Sequence, residues 1–304
     1  MLKRPLISIV LVAYNQEAFI RDAVLSVIEQ DYENLEILIS DDCSTDKTYD
    51  IISLIYESYL GPHRVRINRN EKNMGIGAHV SHAVSMVKGD YIVMASGDDI
   101  SLPSRVSNSV SVIENRGEMG AVIGRYHPFD QLCEDSGAWE PRHAQSNQVI
   151  KAGSNDWFKR SHQGKLVGMP GVAAMWNRKL FELFGSIPSH TSAEDVVLAN
   201  RCLIAGLGVA FTSDKLVFYR KHPNQITSVK RSEFERRIIL SRVLSLTELL
   251  SFKGQHPNHH SPEYWDKIEC LLESTIFRSA VHIRQPVIGT LTSKFLLWLG
   301  LKQI

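Results

Sequence analysis

Cysteine is scarce in this 304-residue sequence, which contains only Cys43, Cys133, Cys202 and Cys270. The four lie far apart, and no Cys-x-x-Cys pair occurs. Because thiolate metal clusters and disulfide frameworks need grouped cysteines, the spacing argues against both. Isolated cysteines in a chain of this size are typical of a reducing compartment, so we expect the cytoplasm.

An excess of charge is also absent, since 34 Lys and Arg residues face 33 Asp and Glu residues and the net charge is +1. Such a balance recruits neither nucleic acid nor an anionic surface, and we expect no nucleic-acid partner. No apolar run approaches the roughly 18–20 residues of a membrane span. Residues 6–13 are apolar, but Asn15, Gln16 and Glu17 follow them, which favours a first core strand over a secretory signal.

Apolar runs alternate with amphipathic segments through the first half of the chain. The runs predict strands at 6–13, 35–40, 64–68, 90–95 and 120–124, and the segments between them predict helices at 16–30, 46–59 and 77–87. Continuous β-branched runs without polar alternation indicate strands that are buried on both faces of a parallel sheet. The pattern therefore predicts an α/β fold with three layers, a mostly parallel sheet between two layers of helices.

The second half is less regular. Residues 126–165 lack periodicity and predict a long irregular insertion. After them we expect a strand at 172–176, helices at 178–184 and from 193–195 onward, and strand-like segments at 208–212 and 216–219. Helices predicted at 232–252, 262–284 and 288–301 form a C-terminal helical extension. These helices have three open interpretations: packing on the core, a homodimer contact, or peripheral contact with a membrane surface. His256, His259 and His260, between the first two helices, are expected to be solvated.

Polar residues follow three of the predicted strands, where α/β sheets bind ligands. Asp98 and Asp99 are adjacent carboxylates after a buried strand, and Mg²⁺ or Mn²⁺ would relieve their repulsion and desolvation. The alternative is a solvated turn or a helix cap before Pro103. Asp41 and Asp42 can accept hydrogen bonds from a nucleobase or a ribose, with capping of the 46–59 helix as the alternative.

Four further features have paired interpretations. Tyr14 suits stacking on a base or plain packing. The stretch Asn73–Gly77 indicates a turn and a helix start near the nucleotide; it is not a dinucleotide loop, because Val80 stands where the third glycine belongs. Glu194-Asp195 opens a helix and suits either capping or general-base catalysis. His222 suits either packing or completion of a metal shell beside carboxylates.

Three blocks together resemble glycosyltransferase family 2, the inverting enzymes with a GT-A fold. They are ISIVLVAYNQEAFIRDAVLSVIEQDYENLEILISDDCSTD (7–46), NMGIGAHVSHAVSMVKGDYIVMASGDD (73–99) and AMWNRKLFELFGSIPSHTSAEDVVLANR (174–201). The resemblance covers roughly residues 5–225, and the order and spacing of the blocks are more specific than any one motif.

The resemblance implies a set of site residues. The nucleotide-sugar positions are Val12, Tyr14, Asp41, Asp42, Asn73, Gly75, Ser96 and Gly97. Asp98, Asp99 and His222 are the implied metal ligands, and Ser96 stands where the family has the first aspartate of its metal motif. Asp195 is the implied catalytic base, and Glu194 the residue that orients the acceptor or the loop. His79-Val80 replace the Arg-Asn that the family often has in the helix after the Asn73–Gly75 turn.

The implied activity is sugar transfer from a nucleotide-diphosphate sugar, with a UDP-sugar as first choice, to a hydroxyl of a glycan or lipid-linked acceptor. Mn²⁺ or Mg²⁺ is the implied cofactor. The implied setting is surface polysaccharide or lipopolysaccharide synthesis at the cytoplasmic face of the membrane. We expect residues 1–228 to form the GT-A domain, with donor binding in 1–125 and acceptor binding and the base in 126–228; residues 229–304 form the extension.

Two rival functions remain open at this point. A sugar nucleotidyltransferase would need a glycine-rich basic loop after the first strand to bind a triphosphate, and this chain has AYNQEAF there. A non-catalytic nucleotide- or glycan-binding protein on the same fold is the second rival, and Ser96 is the observation in its favour.

Overall fold

The computed structural model describes residues 4–130, 149–150, 171–191, 193–223, 225 and 231–282. The strands in these ranges are β1 (Ile7–Ala13), β2 (Leu35–Asp41), β3 (Arg64–Arg69), β4 (Tyr91–Ser96), β5 (Ile100–Ser101), β6 (Ala121–Asp130), β7 (Val149–Ile150), β8 (Ala174–Asn177) and β9 (Val209–Lys221). The helices are α1 (Ile20–Ile28), α2 (Thr48–Ser58), α3 (Ile76–Ser85), α4 (Arg105–Arg116), α5 (Lys179–Phe184), α6 (Glu194–Ala205), α7 (Arg231–Gln255) and α8 (Pro262–His282).

The strands form one mixed sheet in the order β3-β2-β1-β4-β8-β6-β9-β5, and β7 also pairs with β9. The first four strands of this order are mutually parallel. Strand β8 runs antiparallel to both β4 and β6. Strand β3 is an edge of the sheet and carries Arg64, Arg66 and Arg69. The predicted mixed, mostly parallel sheet is therefore confirmed.

Alternating residues of the central strands enter two separate hydrophobic clusters, one on each face of the sheet. In β1, Ile9 and Leu11 join the cluster that holds buried residues of α1, α2 and α4, whereas Val10 joins the cluster that holds residues of α3, α6, α7 and α8. Successive side chains of a strand point to opposite faces, so helices on both faces bury β1, with Val12 near its end half-buried. The three-layer prediction is confirmed.

Helices α7 and α8 pack on the core of the sheet. Leu246, Leu249, Phe252 and Trp265 belong to the same cluster as residues of α6. Arg201 of α6 is fully buried and pairs with Glu248 of α7 at 2.7 Å. Of the three interpretations left open for the extension, packing on the core holds for α7 and α8.

The linker between α7 and α8, together with the first turn of α8, caps the end of α6. His260 Nε2 donates to the carbonyl of Ile204 at 2.8 Å, and the Tyr264 hydroxyl donates to that of Leu203 at 2.9 Å. The last carbonyls of a helix lack intrahelical donors, which explains why these side chains turn inward. The expectation of a solvated linker is wrong for His260, which is half-buried, and holds for His256 and His259, which are exposed.

The prediction of a long irregular insertion at 126–165 is partly wrong. Strand β6 continues to Asp130 past irregularities near Arg125, and β7 occupies 149–150. Pro128 lacks a backbone donor, and a proline in a sequence argues against a strand, so this part of β6 was not predicted. The segments 208–212 and 216–219 are one strand, β9, and the two-residue β5 was not predicted.

Some predictions fall beyond what is described. The rest of the 126–165 insertion, the helix at 288–301 and the boundary between residues 228 and 229 lie outside the described residues. Within the described ranges, no helix combines the length and the apolar character that crossing a membrane requires.

Candidate active site

The carboxyl end of β1 lies between two acidic loops. The parallel register sets Ala13 beside Asp41 of β2, and Val12 beside Ser96 of β4. The amide of Asp42 donates to the Ala13 carbonyl at 2.9 Å, and the amide of Gly97 donates to the Val12 carbonyl at 3.0 Å. Clusters that are more than 50 positions apart in the chain are therefore adjacent at one edge of the sheet.

Asp42 is buried and orders the loop before α3. One carboxylate oxygen accepts from Asn70 Nδ2 at 2.7 Å and from the Met74 amide at 2.9 Å, and the other accepts from the Gly75 amide at 3.0 Å. A carboxylate has about four acceptor positions, so little capacity remains for a nucleobase. Gly75 has φ +76°, a conformation that favours glycine and that starts α3 at the next residue.

Asp41 is fully buried and accepts from the Ser44 amide at 3.0 Å and from the Ser44 hydroxyl. Arg69 Nε lies 3.5 Å from its carboxylate. The alternative in which Asp41 and Asp42 cap α2 is wrong, because Asp41 accepts from Ser44 and Asp42 accepts from the 70–75 loop. The Ser44 hydroxyl in turn accepts from the Asn15 amide at 2.8 Å. Asp46, two residues before the helix begins, accepts from the Thr48 amide at 2.9 Å.

A closed set of polar side chains lies beneath Asp42, and sequence reasoning missed most of it. Asn68 Nδ2 donates to the Ser40 hydroxyl and to Asn70 Oδ1, both at 2.9 Å. His79 Nε2 contacts the Ser40 hydroxyl at 2.8 Å, and its Nδ1 lies 4.0 Å from Asp42. Burial lowers the pKa of His79, so its imidazole is neutral near pH 7. This network fixes Asp42 before any ligand arrives.

Tyr14 projects from the end of β1 with 44% of its surface exposed. The next residue, Asn15, has φ +51°, and its side-chain oxygen accepts from the Thr45 amide at 2.8 Å. Plain packing of Tyr14 is therefore wrong, and its ring is accessible for stacking. Among the other predicted donor-binding positions, Val12 and Ser96 are half-buried, Gly97 is buried, and Asn73 and Gly75 are exposed.

Asp98 and His222 are in contact although 124 positions separate them. His222 Nε2 lies 3.0 Å from Asp98 Oδ2, and the Ser96 hydroxyl contacts the other Asp98 oxygen. Burial, and then the charge of Asp98, raise the pKa of Asp99 well above its usual range, and Asp99 Oδ1 accepts from the Arg220 amide at 2.9 Å. Both carboxylates are buried, so the solvated-turn alternative is wrong.

The donor set suits a divalent cation that binds a substrate diphosphate. No three of the described His, Cys, Asp and Glu side chains are grouped to hold a metal. Mg²⁺ and Mn²⁺ commonly take one or two protein ligands and complete their shell with phosphate oxygens and water. Asp98 and His222 offer two such ligands side by side, and the metal-binding roles of Asp98, Asp99 and His222 stay predictions.

Arg220 holds the acidic loop from β9, and sequence reasoning did not select it. Its Nε donates to the Asp98 carbonyl at 2.9 Å, and a terminal nitrogen donates to Asp22 at 3.0 Å. Its guanidinium lies over the rings of Phe19 and Phe129, at 5.1 and 4.6 Å from their centroids. The only signal in the sequence is its position two residues before His222.

Glu194 and Asp195 lie in the first turn of α6 and are partly buried. Asp195 Oδ1 accepts from the Val196 amide at 2.8 Å, and Oδ2 accepts from the Gly171 amide at 3.3 Å. Burial, and then the charge of Asp195, raise the pKa of Glu194 to about 7, and burial also raises the pKa of Asp195. A carboxylate with a raised pKa is a stronger base near neutrality.

A short series of contacts joins this acid pair to the 96–99 loop. Gly171, which bonds to Asp195, begins the 3₁₀ turn Gly171–Ala173, which contacts β4, β6 and β9. Arg105 bonds to the Val172 carbonyl in this turn, and its charge acts on Asp99. The two predicted functional groups thus lie in one connected part of the molecule.

Comparison with known families decides the assignment, because residues 8–184 match the model described as glycosyl transferase family 2. The chain belongs to glycosyltransferase family 2. The resemblance seen in the sequence is confirmed at the level of the family.

Individual family 2 relatives match parts of the chain. The Escherichia coli protein named UDP-Glc:alpha-D-GlcNAc-diphosphoundecaprenol beta-1,3-glucosyltransferase WfaP is 36% identical over 109 residues, which cover 36% of this chain and 41% of WfaP. The chain spans less than half the length of the first curated relatives that it matches.

Solved structures share the fold at low identity. Staphylococcus aureus TarS in complex with UDP-GlcNAc superposes with a TM-score of 0.61 at 17% identity, over 82% of this chain and 72% of that chain. The mannosyltransferase PcManGT from Pyrobaculum calidifontis, in complex with GDP-Man and Mn²⁺, gives a TM-score of 0.57 at 16% identity, over 98% and 81%. The predicted GT-A fold of family 2 is confirmed.

Proposed function

We propose that this family 2 member is an inverting glycosyltransferase that moves a sugar from a nucleotide-diphosphate sugar to an acceptor hydroxyl. One observation carries the proposal: Asp41, Asp42 and the Asp98–His222 pair flank the end of β1, and the Glu194–Asp195 pair joins the same region through the turn that starts at Gly171.

The residues on the donor side of the proposed site are already in position before the ligand binds. Tyr14 offers an exposed ring for stacking on the base. Asp42, which three loop hydrogen bonds hold in place, would use its remaining acceptor position for a base N–H. We take a UDP-sugar as the first donor to test, since the name of WfaP specifies UDP-Glc and TarS was solved with UDP-GlcNAc.

Asp98 and His222 would hold Mn²⁺ or Mg²⁺, with the Ser96 hydroxyl beside them. When bound, the cation supplies positive charge where the departing diphosphate becomes more negative. PcManGT, which was solved with GDP-Man and Mn²⁺, supports a divalent cation at such a site. Arg220 would keep Asp98 in place through the loop carbonyl and the stacked rings.

Asp195 would accept the proton of the acceptor hydroxyl as the new glycosidic bond forms. An alcohol has a pKa far above neutral, so its attack needs a base, and burial of the acid pair makes that base stronger. Glu194, with a pKa of about 7, would share or orient the proton beside it. Attack from the side opposite the diphosphate inverts the anomeric centre.

The proposed acceptor is a hydroxyl of a glycan or lipid-linked sugar, in surface polysaccharide or lipopolysaccharide synthesis at the cytoplasmic face of the membrane. The name of WfaP specifies alpha-D-GlcNAc-diphosphoundecaprenol, which supports this class. The nucleotidyltransferase alternative lacks support, because the loop after β1 has no glycine and bonds to the 44–48 segment through Asn15 and Gln16.

The test combines binding with transfer in Asp195→Asn. We expect UDP, with Mn²⁺ present, to bind the variant within about threefold of the wild type, because Asp195 does not contact the donor loops. Transfer should fall by roughly 10³-fold, since a positioned general base contributes on the order of 10²–10⁴. Calorimetric titration measures binding, and release of UDP with an acceptor sugar measures transfer.

Asp266→Asn, on the exposed face of α8, is the matched control and should leave both quantities unchanged. Full turnover in Asp195→Asn removes Asp195 as the base. Donor binding without any wild-type transfer across an acceptor panel would favour the non-catalytic alternative.

A further inference from the structure

The sheet opens between β4 and β8 just where the two halves of the proposed site diverge. Their antiparallel pairing runs through Tyr91–Asn177, Ile92–Trp176 and Val93–Met175 and stops there. Met94, the next residue of β4, lies beyond this register. Arg105 from the first turn of α4 enters this opening, and only 2% of its surface is exposed.

One nitrogen of Arg105 bridges the opening. It donates to the Met94 carbonyl and to the Val172 carbonyl, both at 2.7 Å. The other terminal nitrogen donates to the Ser101 hydroxyl at 2.9 Å. A guanidinium is planar and offers its donors in a fixed fork, so these bonds set the distance between the two carbonyls.

The two carbonyls lie next to different parts of the proposed site, the Asp98 loop and the base Asp195. Met94 lies two residues before Ser96, where the loop of Asp98 begins. Val172 follows Gly171, whose amide donates to Asp195. The charge of Asp99 acts on Arg105 from the same loop, which helps a buried cation to remain in place.

We propose that Arg105 is a positioning residue that fixes the separation between the donor-binding loop Ser96–Asp99 and the base Asp195. The inference rests on the proposed function, in which the two groups act on the same sugar carbon and acceptor hydroxyl. Such alignment matters, since a displacement of about 1 Å can cost roughly 10²-fold in rate.

The test is Arg105→Lys, which keeps the charge and loses the fork. An ammonium on a flexible stem cannot hold both carbonyls and Ser101 in one fixed geometry. We expect kcat to fall by roughly 10- to 100-fold, while the dissociation constant for UDP with Mn²⁺ changes less than about threefold. Amide hydrogen exchange should become faster at residues 94–96 and 171–173 together.

The matched control is Arg178→Lys. Arg178 also bridges two carbonyls, those of Val87 and Gly89, but it does so at the opposite end of β4. This variant should keep kcat and the exchange of 94–96 and 171–173 at the wild-type level. Ser101→Ala is the milder variant if Arg105→Lys does not fold, and we expect a loss in kcat of about two- to fivefold.

Unchanged kcat in Arg105→Lys, or weakening of UDP binding in proportion to the loss of kcat, overturns the positioning role. Unchanged exchange in both segments also overturns it, whatever the reaction proves to be. Absence of transfer by the wild-type protein would instead contradict the proposed function. The exchange experiment would still decide whether Arg105 holds residues 94–96 and 171–173 together.

Discussion

Gly97 shows how closely the site is packed at the scale of one residue. A Cβ at this position would lie 2.4 Å from Gln16 Oε1 and 3.0 Å from both Ala13 Cβ and Ile20 Cδ1. Its backbone φ is not in the left-handed region, so the constraint comes from space alone. The absence of a side chain lets the loop pass against α1 and brings Asp98 beside β1.

We therefore predict that Gly97→Ala displaces the loop. UDP binding in the presence of Mn²⁺ should weaken about tenfold or more, and stability should fall by about 1–3 kcal/mol, as overpacking typically costs. Calorimetry and thermal unfolding measure the two effects. Gly254→Ala, where an added Cβ meets nothing within 4 Å, should leave UDP binding unchanged and should not lower stability, because Gly254 lies in helix α7. Equal behaviour of the two variants would contradict the steric argument.

The raised pKa of Glu194 predicts that the stability of the fold depends on pH. Its pKa rises from an ordinary value of 4.5 to about 7 in the fold, mainly through burial and then through Asp195. The folded state thus holds this proton more tightly than the unfolded state does. Its contribution is fully present below pH 4.5 and is lost as the pH rises through about 7.

Glu194→Gln should therefore be more stable than the wild type at pH 8, by on the order of 1 kcal/mol, and nearly equal to it at pH 4.5. Thermal unfolding across this pH range measures the difference. A difference that is constant with pH would show that Glu194 does not titrate in this way.

Sequence reasoning predicted the positions of those residues that lie at the ends of strands. Tyr14, Asp41, Asp42 and Asp98 follow β-branched runs, and parallel pairing brings such ends together. It failed for Arg105 and Arg220, because a long side chain can reach many partners and its target is fixed only by tertiary packing. His260 was misjudged for the same reason, since its partner is a helix end more than 50 residues earlier.

At the scale of elements, α6 links the proposed base to the C-terminal helices. Its first turn carries Asp195, and its last carbonyls accept from His260 and Tyr264. Between them, Arg201 donates to the carbonyls of Leu180, Gly185 and Ser186 and pairs with Glu248. Helices α5, α6 and α7 thus meet at one buried guanidinium.

We predict that Glu248→Gln destabilises the fold by about 2 kcal/mol, because it leaves the charge of Arg201 buried without its anion. This is less than the cost of a fully buried pair, since Glu248 keeps some contact with solvent and the glutamine keeps a hydrogen bond. Urea unfolding measures the change. Glu118→Gln removes the partner of Lys179 in an exposed pair and should cost less than about 0.5 kcal/mol. Similar losses in both variants would contradict the role of burial.

The elements themselves were predictable where the apolar period was long. Strands β1, β2 and β4 and helices α2, α3 and α5 lie within two residues of their predicted bounds. The short β5 and the continuation of β6 were not predictable, because two residues carry no period and His127-Pro128 interrupts the pattern. Pairing with β9 stabilises both as strands.

At the scale of the whole molecule, the C-terminal helices and the sheet share one hydrophobic cluster. Phe252, Trp265 and Ile268 belong to it together with Trp176 of β8 and Val197 of α6. Helices α7 and α8, which lie in the proposed 229–304 extension, thus share their apolar core with the sheet.

A chain truncated after residue 228 should therefore lose cooperative unfolding and bind a hydrophobic dye, because the surface that α7 and α8 cover becomes exposed. A chain that ends at residue 285 keeps both helices and should unfold cooperatively. Calorimetry and dye fluorescence distinguish the two. A cooperative transition at the wild-type temperature in the shorter chain would establish the extension as an independent unit.

The three arginines on β3 have a consequence for self-association. The outer side of an edge strand presents unpaired backbone groups to which a strand of another molecule can add. Two copies that approached each other by this edge would bring their β3 arginines together. Arg66 and Arg69 are paired with Glu36 and Asp41, so Arg64 contributes most of the repulsion. The sheet therefore resists lengthening from molecule to molecule, and concentrated salt, which screens such repulsion, would remove part of this protection against fibre growth.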